Sequence, residues 1–184
     1  RKPSPQRGGS AADSVWLYGT HAVEAALANP ARDCRRLLVA QAELAERYAQ
    51  APLKPERVER GAIDALLPGG AVHQGVALLA GKLVQPELED LLASTAENAI
   101  VLVLDQVTDP HNIGAVLRSA AAFGALGVVV QERNAPGETG SLAKSASGAL
   151  EWVAYTPVVN IARALDLLGE EGFWRLGLDG AATT

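Results

Sequence analysis

A short apolar run at 100–104 passes through a polar, turn-forming loop (Asp105, Gln106, Thr108, Asp109, Pro110, His111, Asn112) into an alanine-rich helix that reaches 123–124. Strand, polar loop and helix in that order set ligand-binding groups at the carboxyl edge of a parallel sheet. The pattern recurs downstream. A strand is expected at 127–130, a Gly/Pro-rich loop at 134–140, a helix from 141, a strand at 152–155, a helix at 161–168 and a strand at 174–178. The apolar runs are short and continuous rather than alternating, which predicts an α/β fold whose parallel sheet is covered on both faces.

The first half reads as a smaller α/β layered unit. Strands are expected at 15–18, 36–40, 57–59 and 76–80, and helices at 21–28, 41–50 and 62–67, with turn formers between them. Residues 85–97 are polar and carry Pro86, Glu87, Glu89 and Asp90, the composition of a linker with an acidic helical turn. The expected organisation is a flexible tail at 1–13, one domain at 14–84, a linker at 85–97 and a second domain at 98–184. The tail carries Arg1, Lys2 and Arg7 and almost nothing apolar; it is either a solvated segment or a basic arm on a polyanion.

Composition narrows the setting. With 48% hydrophobic and 20% charged residues the chain is globular rather than disordered. Cys34 is the single cysteine, so no internal disulfide is possible, and a reducing, cytoplasmic location is expected. No apolar run approaches the roughly 20 residues of a membrane span, and no apolar stretch follows the basic N-terminus as in a secretory signal. A net charge of −5 argues against non-specific polyanion binding over the whole surface, but not against a local basic site.

Several chemistries lack their motifs. There is no Walker-type phosphate loop, no G-x-G-x-x-G after a strand and no G-x-S-x-G elbow. His21, His73 and His111 are widely separated, so no metal site is expected. Candidates remain near the opening loop. Arg118 lies on the flank of the helix stripe formed by Ile113, Val116, Leu117, Ala120, Ala121 and Gly124, within reach of a helix N-terminus that favours anions. It is an anion ligand or a solvated helix arginine. Asn112 is expected as the helix N-cap, with a substrate contact as the alternative. Lys144, Ser145 and Ser147 beside Gly148, with Arg133 upstream, form either a phosphate or ribose grip or an ordinary amphipathic helix surface. His73-Gln74-Gly75 is a polar turn before a strand.

The stretch DQVTDPHNIGAVLRSAAAFGALGVVV, residues 105–130, resembles the first signature motif of the SpoU/TrmH family of RNA ribose 2′-O-methyltransferases. LAKSASGALEWV, residues 142–153, resembles the segment that follows it in that family. LYGTHAVEAAL (17–27) and HQGVALLA (73–80) are similar to the two ends of the family's N-terminal substrate-binding domain. The likeness spans residues 15–180.

The resemblance implies S-adenosylmethionine as methyl donor, RNA as substrate (a guanosine of 23S rRNA before all), a trefoil-knotted catalytic domain and a homodimer. It maps Asn112 and Arg118 onto the polar residues of the first motif, where the arginine helps to activate the 2′-hydroxyl. RNA contacts are expected from His21, His73, Gln74, His111, Arg133, Lys144, Ser145 and Ser147. A tRNA or resistance-type rRNA methylase of the same family, or a non-catalytic RNA-binding protein, are the alternatives. The family's second and third motifs should follow the strand at 174–178, and the sequence stops at Thr184. Only Leu178, Asp179 and Gly180 are therefore expected to border the donor, and these 184 residues alone are expected neither to bind S-adenosylmethionine appreciably nor to methylate RNA.

Overall fold

A computed structural model describes residues 13–93 and 98–178. In chain order the elements are β1 (Ser14–Tyr18), α1 (Thr20–Ala28), β2 (Cys34–Val39), α2 (Ala42–Arg47), β3 (Pro55–Arg57), α3 (Arg60–Asp64), β4 (Val76–Gly81), α4 (Leu88–Ala93), β5 (Val101–Leu104), α5 (Pro110–Ala122), β6 (Gly127–Gln131), α6 (Gly140–Ala146), β7 (Ala154–Val158) and α7 (Ile161–Glu170). A 3-10 turn, Ala149–Glu151, follows α6. The expected tail lies almost wholly outside the described residues, as do 94–97 of the expected linker.

The second sheet has the order β5-β6-β7 and is parallel throughout, with Val101 opposite Gly127 and Val128 opposite Tyr155. Side chains alternate across a strand, and β6 shows the consequence. Val128 and Val130 enter one core cluster with Ile113 and Leu117 of α5 and Leu142 of α6. Val129 enters another with Leu88, Leu91 and Leu92 of α4 and Ala164 and Leu168 of α7. All three valines are at most 1% exposed; each such burial stabilises by about 1.5–3 kcal/mol. Covering on both faces is why the strand reads as an unbroken apolar run. Pro157 is tolerated because β7 is an edge strand.

The first sheet is mixed, in the order β1-β4-β2-β3, with β4 antiparallel to both neighbours and β2 parallel to β3. Leu17, Leu37, Val39 and Leu78 pack with Ala22, Val23 and Ala26 of α1, while Tyr18, Leu38 and Ala77 pack with Ile63 and Leu67 on the other face. The α1-side cluster is continuous with the one formed by α5, α6 and β6, so the two sheets share one core.

That union runs through residues 138–151. A Cβ on Gly140 would overlap the Trp16 carbonyl oxygen and the Tyr18 ring, and one on Gly148 would come within 2.6 Å of Ala25 Cβ. Tyr18 and Ser141 share a hydroxyl hydrogen bond of 3.1 Å. Arg32, whose side chain is fully buried, is held by Glu138 and Glu151 at 2.5 Å each. It also donates to the Gly81 carbonyl (2.8 Å), while Glu138 accepts from Leu83 N–H (2.7 Å) and Glu151 from Asn29 Nδ2 (2.8 Å). Desolvation opposes the charge of Arg32, but its bonds to Glu151 and Glu138 outweigh that and push its pKa up.

Three expectations are corrected. No strand forms at 174–178: residues 173–178 join no ladder, and Trp174, Leu176 and Leu178 are exposed. The alternating sequence favours extended backbone, but a strand exists only when another edge accepts its hydrogen bonds. The strand expected at 152–155 lies at Ala154–Val158, because the 3-10 turn leaves Trp152 exposed ahead of it. The helix expected from Asn112 begins at Pro110.

Candidate functional site

The first turn of α5 forms the carboxyl edge of β5. Asp109 caps the helix, its Oδ1 accepting from His111 N–H at 3.0 Å, and Pro110 follows at the first helical position, where its missing N–H costs nothing. Asn112 is therefore not the N-cap, contrary to expectation. Aspartate before proline takes that place, and the Asn112 carboxamide is left exposed without a protein partner among the described residues.

Helix geometry sorts the rest of α5. Ile113, Gly114, Leu117 and Ala120 are buried, while His111, Asn112, Ala115, Arg118, Ser119 and Ala122 form the exposed stripe. Ala121 and Gly124, expected in the buried stripe, are exposed. Arg118 lies two turns after His111 on the same stripe, and helical side chains lean toward the N-terminus. Its guanidinium makes no hydrogen bond or ion pair within the described residues, and it shares the exposed stripe with His111 and Asn112. The helix dipole there favours an anion.

The first turn is braced from behind. A Cβ on Gly114 would overlap Ser145 Oγ, so α5 and α6 touch backbone to side chain. Ser145 Oγ lies 3.0 Å from each of the Pro110, Ser141 and Leu142 carbonyl oxygens. The hydroxyl is committed to this joint, which corrects the expectation that it contacts RNA. Ser147 is exposed and ends α6 in the left-handed region (φ +51°).

The remaining candidates separate by burial. His73 is 0% exposed, with Nε2 3.0 Å from Asp64 Oδ1 and Nδ1 accepting from Gly75 N–H at 3.1 Å. Both ring nitrogens are used, so His73 fixes its turn and cannot touch a ligand; that expectation is corrected as well. Its neighbour Gln74, held at φ +57°, points Oε1 at Thr20 N–H (3.1 Å) and at Lys144 Nζ (2.6 Å). Gln74, Lys144 and the start of α1 at Thr20 and His21 are thus brought together from distant parts of the chain. Arg133 sits apart, exposed in the turn after β6.

Leu178 is fully exposed in a segment without regular structure, and Asp179 and Gly180 lie outside the described residues. Leu178 lines no enclosed site for a methyl donor. No group of three or more His, Cys, Asp or Glu side chains able to hold a metal occurs among the described residues, and no described helix is long and apolar enough to cross a membrane.

Sequence reasoning missed Arg32, Asn29, Glu138 and Glu151. Their types at those positions carry no local signal, because the contacts join residues more than 100 positions apart.

The sequence model of the SpoU rRNA methylase family matches residues 99–184, and that of the RNA 2′-O ribose methyltransferase substrate-binding domain matches residues 16–86. The 23S rRNA (guanosine-2′-O-)-methyltransferase RlmB of Xanthomonas axonopodis pv. citri is 36% identical over 178 residues, covering 91% of this chain and 71% of that protein. The chain belongs to the SpoU rRNA methylase family. The putative TrmH family tRNA/rRNA methyltransferase YacO of Bacillus subtilis is 38% identical over 128 residues, 68% of this chain and 51% of that protein. Among solved structures, the SpoU methyltransferase AviRb from Streptomyces viridochromogenes, in complex with AdoMet, superposes with a TM-score of 0.70 at 19% identity. That match covers 88% of this chain and 63% of AviRb, so the chain spans under two thirds of that SpoU fold. A putative TrmH-family RNA methyltransferase from Porphyromonas gingivalis superposes with a TM-score of 0.67 at 23% identity, covering 88% of this chain and 61% of that one. SpoU membership accounts for both sheets, since the two family matches together run from β1 through the second sheet.

Proposed function

We propose that this protein serves S-adenosylmethionine-dependent 2′-O-methylation of RNA, with a guanosine of 23S rRNA as the target. The observation that carries the reading is identity of 36% to RlmB across 91% of the chain, which includes the substrate-binding half as well as the methylase half. That same breadth favours rRNA over a tRNA substrate, and the methylase match favours an enzyme over a purely RNA-binding protein. In this reading residues 14–84 present RNA, residues 98–184 carry the chemistry, and 85–97 connect them. The protein acts in the cytoplasm, as a homodimer with the knotted fold of its family.

Methyl transfer to a ribose hydroxyl is an in-line displacement: the oxygen must be aligned and its proton removed. S-adenosylmethionine supplies the methyl group, and the residues of the α5 edge act on the RNA side. A delocalised guanidinium is a poor general base, so Arg118 does not act as one. Its role is to hold the phosphate beside the target ribose or to stabilise the alkoxide as it forms, on a helix N-terminal turn that already favours negative charge. Asn112, freed from capping by Asp109, orients the ribose. His111 and Arg133 extend the exposed polar edge toward the RNA backbone.

The test is transfer of labelled methyl groups from S-adenosylmethionine to 23S rRNA of an unmodified strain by the product of the native gene, with the modified nucleotide mapped. One discrete 2′-O-methylated guanosine is expected. Arg118→Lys should lower kcat about 100-fold with RNA affinity nearly unchanged. Full turnover by that variant would exclude a role that needs guanidinium geometry.

A further inference from the structure

Lys144 stands out among the cations of the seam. It lies on the last turn of α6, half-buried, with its stem laid across Gly19: a Cβ there would come within 2.6–2.9 Å of the lysine Cδ and Cε. Gly19 occupies φ +85°, so glycine supplies both the turn and the room. The ammonium has one protein acceptor, the neutral Gln74 Oε1 at 2.6 Å, and no carboxylate partner among the described residues. Burial pushes its pKa down, and no neighbouring charge offsets that. A cation partly withdrawn from water with no counter-charge favours an anionic partner.

The surroundings are built to keep it in place. Gln74 is held in the left-handed region by His73, which is locked at both ring nitrogens, and its Oε1 is further fixed by Thr20 N–H. One residue along α6, Ser145 is joined to the Pro110 carbonyl at the start of α5. Lys144 therefore sits between the turns of the first sheet (19–21 and 73–75) and the first turn of α5. From this juxtaposition we propose that Lys144, seated on Gly19 and aimed by Gln74, binds one phosphate of the RNA backbone where the strand passes from the first sheet's turns to α5. An ammonium has three donors and Gln74 takes one, so the phosphate oxygens accept the others. The inference rests on RNA being the substrate, but not on methyl transfer.

Binding of the 184-residue chain to an unmodified 23S rRNA transcript, between 50 and 200 mM KCl, tests it, with thermal melts run in parallel. Each neutralised phosphate contributes about 0.7–0.9 to the log–log salt slope. Lys144→Ala should weaken binding about tenfold at the lowest salt and make the slope shallower by that amount. Gln74→Glu supplies the missing counter-charge within the protein. It should weaken binding similarly while the melting temperature holds or rises, so it decides the matter if Lys144→Ala fails to fold. Wild-type affinity and slope in a folded variant of either kind overturn the phosphate seat while leaving RNA as the substrate. A wild-type chain with no salt-dependent RNA binding overturns the substrate reading, and this proposal with it.

Discussion

Two charged contacts join the same two sheets, and they differ in what neutralises the charge. At Arg32 the guanidinium is fully buried and meets two carboxylates, a backbone carbonyl and no solvent. Lys144 is a half-buried residue whose ammonium meets one amide oxygen. Both come from the same segment of contacts, since Glu138 precedes α6 by two residues and Lys144 lies in its last turn. The first contact has four of its five N–H donors bonded and its charge matched by two carboxylates; the second has spare donors and no matching carboxylate. Saturation, rather than the residue type, separates a cation that holds the fold from one available to bind.

The difference can be broken at the saturated end first. Arg32→Ala strands Glu138 and Glu151 in the core and should cost about 3–5 kcal/mol in chemical denaturation, the range for an orphaned buried charge. A loss below about 1 kcal/mol would mean that water reaches the pair and that the two contacts are alike. Gly114→Ala attacks the joint that carries Lys144's helix. Its Cβ would overlap Ser145 Oγ and should cost about 1–3 kcal/mol by overpacking; a neutral result would show that α6 shifts freely against α5.

The smallest effect is expected at Lys144 itself. Lys144→Met removes an uncompensated charge and should change stability by less than about 1 kcal/mol. It should also remove a pH dependence. The folded-state pKa of Lys144 is lowered from 10.5 by burial, so between the two values the unfolded chain binds more protons. Stability from this group therefore rises as pH increases through that window. The difference between wild-type and Lys144→Met curves isolates the effect from Tyr48 and Tyr155, whose phenols burial pushes up to about 12. Coincident curves would show that the ammonium is as well solvated as in water.

Much of the architecture was legible in order along the chain. Continuous apolar runs announced the buried parallel sheet, and β6, with valines facing both helical layers, shows why. The exposed position of Arg118 also followed from helical periodicity. The cap of α5 was misplaced because Asp109 and Asn112 are both good caps, and only the helical position of Pro110 decides between them. His73 and Ser145 looked like surface polar residues. Their partners, Asp64 and Pro110, lie 9 and 35 positions away, at distances that local pattern does not report.

The sequence by itself determined the α/β class, the family and the open polar edge that carries Asn112 and Arg118, because hydrophobic periodicity and a long local motif are encoded residue by residue. The tertiary structure alone decided which polar side chains are spent on the fold and which stay available. It joined the two sheets through Arg32, buried His73, withheld a partner strand from 174–178, and set Lys144 beside a neutral amide. Those outcomes depend on desolvation and on partners brought from far along the chain, and both exist only once the backbone has closed.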